Sequence, residues 1–362
     1  MITETFFELI QVSIGNRKSL SVSPSDEEWH ALFLMAQEQA VLGIAFHALE
    51  ILSPKEQRPS IPLLYEWIAI SESIRKRNLI LNNHCEEIQQ ELCNKGVRSS
   101  ILKGQGIAKY YDKELSALRQ PGDIDVYVDC GRKKAIEIAK ELQGEPVDWD
   151  YKHLQLRLWD DVEIEIHYRV EIIFDIIKNI RLQKWFKENE ILMYEKHCDL
   201  ITPCVQYNLF YIILHIYRHF LTEGVGLRQV MDYYFVLKVS SETAKLDKCF
   251  DDKREIQRVL HLFGINKFAE GVMWILGEVF AMNPNLMICK PSEKEGRFIL
   301  QQIMNGGNFG HYDSRINHRG GSMSYMTNVI RHSFHIISRY PLETIRKPIW
   351  MVWHKCWKLT RW

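Results

Sequence analysis

Between Pro121-Gly122 and Cys130 the chain reads DIDVYVD. Successive side chains of an extended strand point to opposite faces, so Ile124, Val126 and Val128 share one side and Asp123, Asp125 and Tyr127 the other. The apolar set demands a core. The acidic set demands something to hold its charge, because an ionised group in apolar surroundings is costly unless paired. The stretch therefore calls for a sheet with one face packed and the other carrying carboxylates.

The same period recurs downstream. In VEIEIHY, Val162, Ile164, Ile166 and Tyr168 point one way and Glu163, Glu165 and His167 the other. HLQLRLW precedes it with Leu154, Leu156 and Leu158 inward, and Asp160-Asp161 joins the two at hairpin length. Upstream, VRSSIL reads as a short strand, KGQG as a turn, and IAKYYDKEL as helical. GRKKAIEIAKEL sets Ala135, Ile138, Ala139 and Leu142 on one helical face. The order is β-α-β-α-β-β, roughly Val97 to Val170.

Both flanks read as helical. Ser25 and Glu28 form a capping box ahead of a stretch with Trp29, Leu32, Phe33, Ala36 and Ala40 at helical spacing. Pro54, Pro59 and Pro62 interrupt, and a second helix is expected from Leu63 to Asn94, ending near Gly96. From about Ile172 onward the chain again reads as helical, with a stripe at Leu209, Ile212, Ile213, Ile216 and Phe220. The expected class is α+β: a small mixed-sheet core flanked by N-terminal and C-terminal helical segments. The expected divisions are 1–95, 96–185 and 186–362.

Lys plus Arg and Asp plus Glu each total 46 over 362 residues, so overall charge selects no partner. From Arg315 to Trp362, however, nine Lys/Arg face Glu343 alone, about +8, which leaves about −8 for the preceding residues. In this tail Trp350, Trp353, Trp357 and Trp362 interleave with Arg346, Lys347, Lys355, Lys358 and Arg361. Three readings stay open for it: a helix docked on the protein through Ile349, Val352, Trp353, Cys356 and Trp357, a nucleic-acid surface, or a membrane-surface segment. The eight cysteines form no C-x-x-C pair, which disfavours a zinc knuckle and suits reduced thiols in a cytoplasmic protein. MITETFFELIQ lacks a basic leader, and Glu270 and Glu278 interrupt the most apolar stretch, so no membrane span is expected.

If the two acidic strands are neighbours, Asp123 and Asp125 converge with Glu163 or Glu165, and the carboxylates repel unless cations neutralise them. Oxygen-only sets with open positions suit Mg²⁺, and a pair of ions stabilises both oxygens of an in-line phosphoryl displacement. The competing reading is plain: Asp123 ends a turn after Pro-Gly and Asp125 faces solvent. KGQG, after a strand and before a helix, allows backbone N–H groups to approach a phosphate. It lacks the third glycine of a dinucleotide fingerprint and the G-K-[ST] of a Walker loop. Lys103 and Arg119 supply cations for phosphates. His215 and His219 have zinc-ligand spacing without a third ligand, and a structural pair is the simpler reading.

Taken together, Leu102-Lys103-Gly104, Arg119, Asp123-Ile124-Asp125 and Glu165-Ile166-His167 resemble the polymerase-β-like nucleotidyltransferase superfamily. Within it they resemble the bacterial group called uncharacterised nucleotidyltransferases. The likeness extends through LHIYRHF and GLRQVMD. The chain departs in having Gln105 after Gly104 and a longer turn-to-Asp spacing. The resemblance implies an NTP substrate and two Mg²⁺ or Mn²⁺ ions on Asp123, Asp125 and Glu165, with Glu163 second choice as the third acid. It implies nucleotide contacts from Lys103, Gly104, Gln105, Arg119, His219 and Arg228, with Arg218 and Asp232 also lining the cleft. It leaves the acceptor open among small molecules, proteins and RNA. The alternative is a catalytically inactive member that binds a nucleotide or a partner.

Overall fold

The computed structural model describes residues 2–53, 58–197, 199–246, 252–313 and 333–359. Along the chain come α1 (Ile2–Ser13), α2 (Asp26–Glu38), α3 (Leu42–Ile51), α4 (Ile61–Asn94), β1 (Ser99–Ile101), α5 (Lys103–Ala108), α6 (Lys113–Leu118), β2 (Ile124–Val128), α7 (Gly131–Gln143), β3 (His153–Trp159), β4 (Val162–His167) and α8 (Ile176–Glu188). Then follow β5 (Glu195–His197), β6 (Leu200–Thr202), α9 (Val205–Thr222), α10 (Leu227–Leu246), α11 (Asp252–Phe263), α12 (Asn266–Phe280), α13 (Glu293–Gly306) and α14 (Pro341–Leu359). The protein is a mostly helical α+β structure around a small four-stranded mixed sheet.

Its contacts divide the chain into two units. One comprises Met1–Leu79, Tyr110–Gln120 and Glu223–Ser324; the other comprises Ile80–Lys109, Pro121–Thr222 and Tyr325–Trp362.

The second unit holds the sheet, in the order β1-β2-β4-β3. β2 runs antiparallel to β1 and parallel to β4, and β3 and β4 form the antiparallel hairpin. Leu81, Cys85, Ile88 and Leu92 of α4 and Ala135, Ile138 and Ala139 of α7 cluster with Ile124, Val126, Val128, Leu154, Leu156, Ile164 and Ile166. Each large aliphatic side chain buried here contributes roughly 1.5–3 kcal/mol. A one-residue slip would turn the whole set outward, so burial fixes the register. The acids are thereby committed to the opposite face.

In the first unit Trp29 and Trp67 are fully buried and meet edge to face at 6.4 Å between centroids. The capping box at Ser25 and Glu28 is present. The helical stretch that follows is two helices rather than one: Ala40 takes a left-handed φ of 54°, and the chain turns between α2 and α3. Arg119 and Asp232, both buried, belong to this unit.

Two further expectations change. KGQG, expected as a turn, opens α5 with a kink at Gly104, and the helix expected after it breaks between Ala108 and Lys113, where Asp112 is extended. The region after Ile172 is not wholly helical, since β5 and β6 form a hairpin. Gln89 explains its stability: the side-chain amide donates to Ile201 O at 2.9 Å and accepts from Ile201 N at 3.0 Å, satisfying an edge that would otherwise be bare.

Helix α14 is docked within the second unit by only part of the expected face, Trp353 and Trp357, joined by Trp350. Trp350 is 4% exposed, and the rings of Trp350, Trp353 and Trp357 surround Tyr151 at 4.9–5.3 Å. Arg346 pairs with Asp175, and the buried Lys347 donates to Leu221 O. Ile349 and Val352 instead face outward, 55% and 67% exposed. The aromatic rings bring more area to the contact than the aliphatic positions, and they set the docked face. Arg361 and Trp362 lie outside the described residues. No described helix is long and apolar enough to cross a membrane.

Candidate active site

The site is built on β2 and β4 as adjacent parallel strands. Asp125 pairs with Glu165 in register, and Tyr127 with His167. Asp123, Asp125 and Glu165 each bring an oxygen within 4.8 Å of the others'. Asp125 is buried, Glu165 is partly exposed and Asp123 is exposed. Glu163, two residues back on β4, is exposed and stands outside this group.

The KGQG turn is tied directly to the acids. Leu102 N donates to Asp125 O at 2.8 Å, continuing the pairing of β1 with β2. Lys103 and Gly104 follow with φ of 37° and 29°. This is a backbone region that disfavours a side chain, and glycine relieves one of the two positions. Gly106 is required by closeness: a Cβ there would sit 2.3 Å from Ile101 O. The turn delivers Lys103 Nζ to 2.6 Å from Asp125 Oδ1. Gln105 is buried and donates to Asn82 Oδ1 at 2.6 Å.

Two histidines close in from β3 and β4. His167, fully buried, has Nε2 at 2.7 Å from Asp125 Oδ1 and 3.1 Å from Glu165 Oε2. His153 pairs with His167 across the hairpin, and its Nε2 lies 3.4 Å from Glu165 Oε1. His153, Glu165 and His167 make a second group of converging ligand atoms.

The electrostatics follow from crowding. Repulsion from Asp125 pushes the Asp123 carboxyl up to about 6. Burial works against ionised Asp125, but Lys103 and His167 override it and hold that carboxyl below its ordinary value. Burial likewise opposes charge on Glu165, and the hydrogen bond from His167 more than reverses it, giving a carboxyl well below the usual range. Burial and His167 lower His153 to about 4, so it is neutral at pH 7. Lys103 is held above its ordinary value despite burial, by Asp125, Asp123 and Glu165. The set is three acids partly compensated by one ammonium and one imidazole.

Behind the site in the same unit lies a buried carboxylate that sequence reasoning missed. Glu171 has no exposed surface; it accepts from His215 Nδ1 at 2.8 Å, and Arg218 Nε and Lys152 Nζ lie at 2.9 and 3.6 Å. His215 is thus placed as a hydrogen-bond donor to Glu171, beside the cations of Arg218 and Lys152, and no group of converging ligand atoms among the described residues includes it. Arg218 Nη2 donates to His219 Nε2 at 2.6 Å, and His219 is itself buried.

The remaining expected residues belong to the first unit. Arg119 is 4% exposed and lies in a fork on Asp232, and Arg228 Nη1 donates to Gln120 O at 2.9 Å.

A family profile for uncharacterised nucleotidyltransferases matches residues 25–280, which include the turn, all three acids and both histidines. The chain belongs to this family. No curated protein and no solved structure matches it. As an uncharacterised nucleotidyltransferase it has an oxygen-donor set of the kind that suits a hard divalent cation. Asp123 and Asp125 on one strand and Glu165 on the next are the residues of this family member that fit one.

Proposed function

We propose that the protein transfers a nucleoside monophosphate from an NTP to an acceptor hydroxyl and releases pyrophosphate. The observation that carries this reading is the parallel register of β2 and β4, which sets Asp125 beside Glu165 with Asp123 in reach. Three carboxylates held together at the cost of raising one of them need a functional reason, and a divalent cation supplies it.

In this reading Asp123, Asp125 and Glu165 hold two Mg²⁺ or Mn²⁺ ions. Such ions, when bound, neutralise the triphosphate and stabilise the attacking and leaving oxygens. Glu165, on the neighbouring strand, would complete the ion site on the acceptor side. Lys103 lies within the acids and balances charge while the nucleotide is away. Gly104 and Gln105 form the turn that faces the triphosphate, and Gln105 is braced by Asn82. His219, set by Arg218 and through it by Glu171, is a further contact to the nucleotide. Arg119 and Arg228 keep the same assignment on the family resemblance.

Incubating the purified protein with each labelled NTP and a cell extract, then following label into RNA, protein and small-molecule fractions, tests the reading and identifies the acceptor class. Absence of incorporated label with every NTP, in Mg²⁺ and in Mn²⁺, would count against transfer.

A further inference from the structure

We propose that His153 and His167 are positioning residues that grip the two oxygens of Glu165, one imidazole to each, and so aim the third carboxylate at the ion. The proposal rests on Asp123, Asp125 and Glu165 being a metal-binding set.

The grip is visible in the distances. His167 Nε2 lies 3.1 Å from Glu165 Oε2, and His153 Nε2 lies 3.4 Å from Glu165 Oε1. His167 also reaches Asp125 Oδ1 at 2.7 Å, so one ring ties the acid of β2 to the acid of β4. The pairing of β3 with β4 places the two histidines opposite each other, with ring centroids 5.1 Å apart.

The alternative is that both imidazoles bind the ion directly. The distances argue against it. His167 Nε2 lies 2.7 Å from Asp125 Oδ1, a contact between ring and carboxylate that needs a proton on the nitrogen. A nitrogen that carries this proton has no lone pair for a metal. His167 therefore donates to the acids, His153 stands beside the other oxygen of Glu165, and the outward lone pairs of Glu165 are left for the cation. A site whose ligands are fixed by such neighbours binds without rearrangement.

His153 is the residue to change, because it is half-buried and opens its strand, whereas His167 is fully buried. The probe is Mn²⁺ alone, titrated into the full chain by calorimetry and followed by electron paramagnetic resonance. His153→Leu should weaken Mn²⁺ binding about 10-fold, the low end of the range for losing a residue that orients a metal ligand. His153→Gln keeps an N–H for Glu165 and should recover most of the loss, which a merely space-filling role would not produce. Wild-type Mn²⁺ should show no nitrogen coupling from a directly bound imidazole. Unchanged affinity in His153→Leu beside a wild type that binds would overturn the grip, and so would a bound-imidazole signal. A wild type that takes up no Mn²⁺, or Asp125→Asn and Glu165→Gln variants that bind as tightly, would instead remove the metal reading and the grip with it.

Discussion

Arg119 lays Nε and Nη2 on the two oxygens of Asp232, each at 2.8 Å, and Tyr111 Oη donates to Asp232 Oδ1 at 2.6 Å. Burial opposes the charge on Arg119, but Asp232 and Tyr111 hold it well above its ordinary value. A planar fork on a carboxylate is a geometry lysine does not reproduce.

Arg119→Met should therefore destabilise the protein by about 3–5 kcal/mol, since Asp232 is left buried without its counter-charge. The double variant Arg119→Met, Asp232→Leu should recover much of that loss. Urea denaturation measures both. An Arg119→Met protein as stable as wild type would show that the guanidinium does not anchor this unit.

Glu171 sets an acid limit on stability. Burial raises its carboxyl, but Arg218, then Lys152 and His215, hold it well below the ordinary value. A depressed carboxyl stabilises the fold fully above its unfolded value, near about 4.3, and the contribution fades as pH falls toward the folded value. Glu171→Gln should melt well below wild type at pH 7, and the gap should narrow below about pH 4. A gap that stays constant over this range would contradict the ion-paired role.

The two acids on β4 are separable by exposure. Glu165→Gln should slow transfer by about 10²–10³-fold, the scale of losing one electrostatic stabiliser of a transition state. Glu163→Gln, on an exposed side chain, should stay within about twofold, as surface changes away from special features do. The opposite pattern in a labelled-NTP assay would make Glu163 the third acid.

The docked tail predicts a stability defect in place of a binding defect. Trp350→Ala removes a buried indole and should cost about 3–5 kcal/mol. Ile349→Ser, on the exposed side of the same helix, should change little. Equal thermal melting of both variants would show that α14 does not support the fold.

Much of the sheet was legible because its period is short and its apolar residues are strongly alternating. Ile124, Val126 and Val128, and Ile164 and Ile166, are buried as their spacing demands. His153 was missed for a definable reason. A two-residue turn at Asp160-Asp161 with unbroken pairing would set Leu158 opposite Glu163 and leave the apolar sets out of phase. The structure resolves the conflict with an irregularity between Leu156 and Trp159. That shift puts Leu156 opposite Ile164 and His153 opposite His167. The mismatch was present in the sequence, but the histidine's place emerges only once the irregularity is allowed. The pairing of Glu171 with Arg218 was hidden differently, since nothing in local periodicity announces a contact between residues separated by a long stretch of chain. The docked face of α14 was right at Trp353 and Trp357 but wrong at Ile349 and Val352, where aliphatic spacing was weighed above the aromatic area of Trp350.

Lys103 has one more consequence. Its ammonium reaches Asp125 from the turn itself, on a backbone held at positive φ, and so arrives as soon as β1 and β2 pair. The chain thus supplies its own internal counter-ion before any solute does. Zinc fingers collapse when their metal is removed because nothing else offsets their ligands. Here the acids are already partly balanced by covalently attached charge, so chelation should leave the melting temperature nearly untouched. If the proposed ions bind, the protein would stay folded and ready to take them up again when divalent cations are scarce.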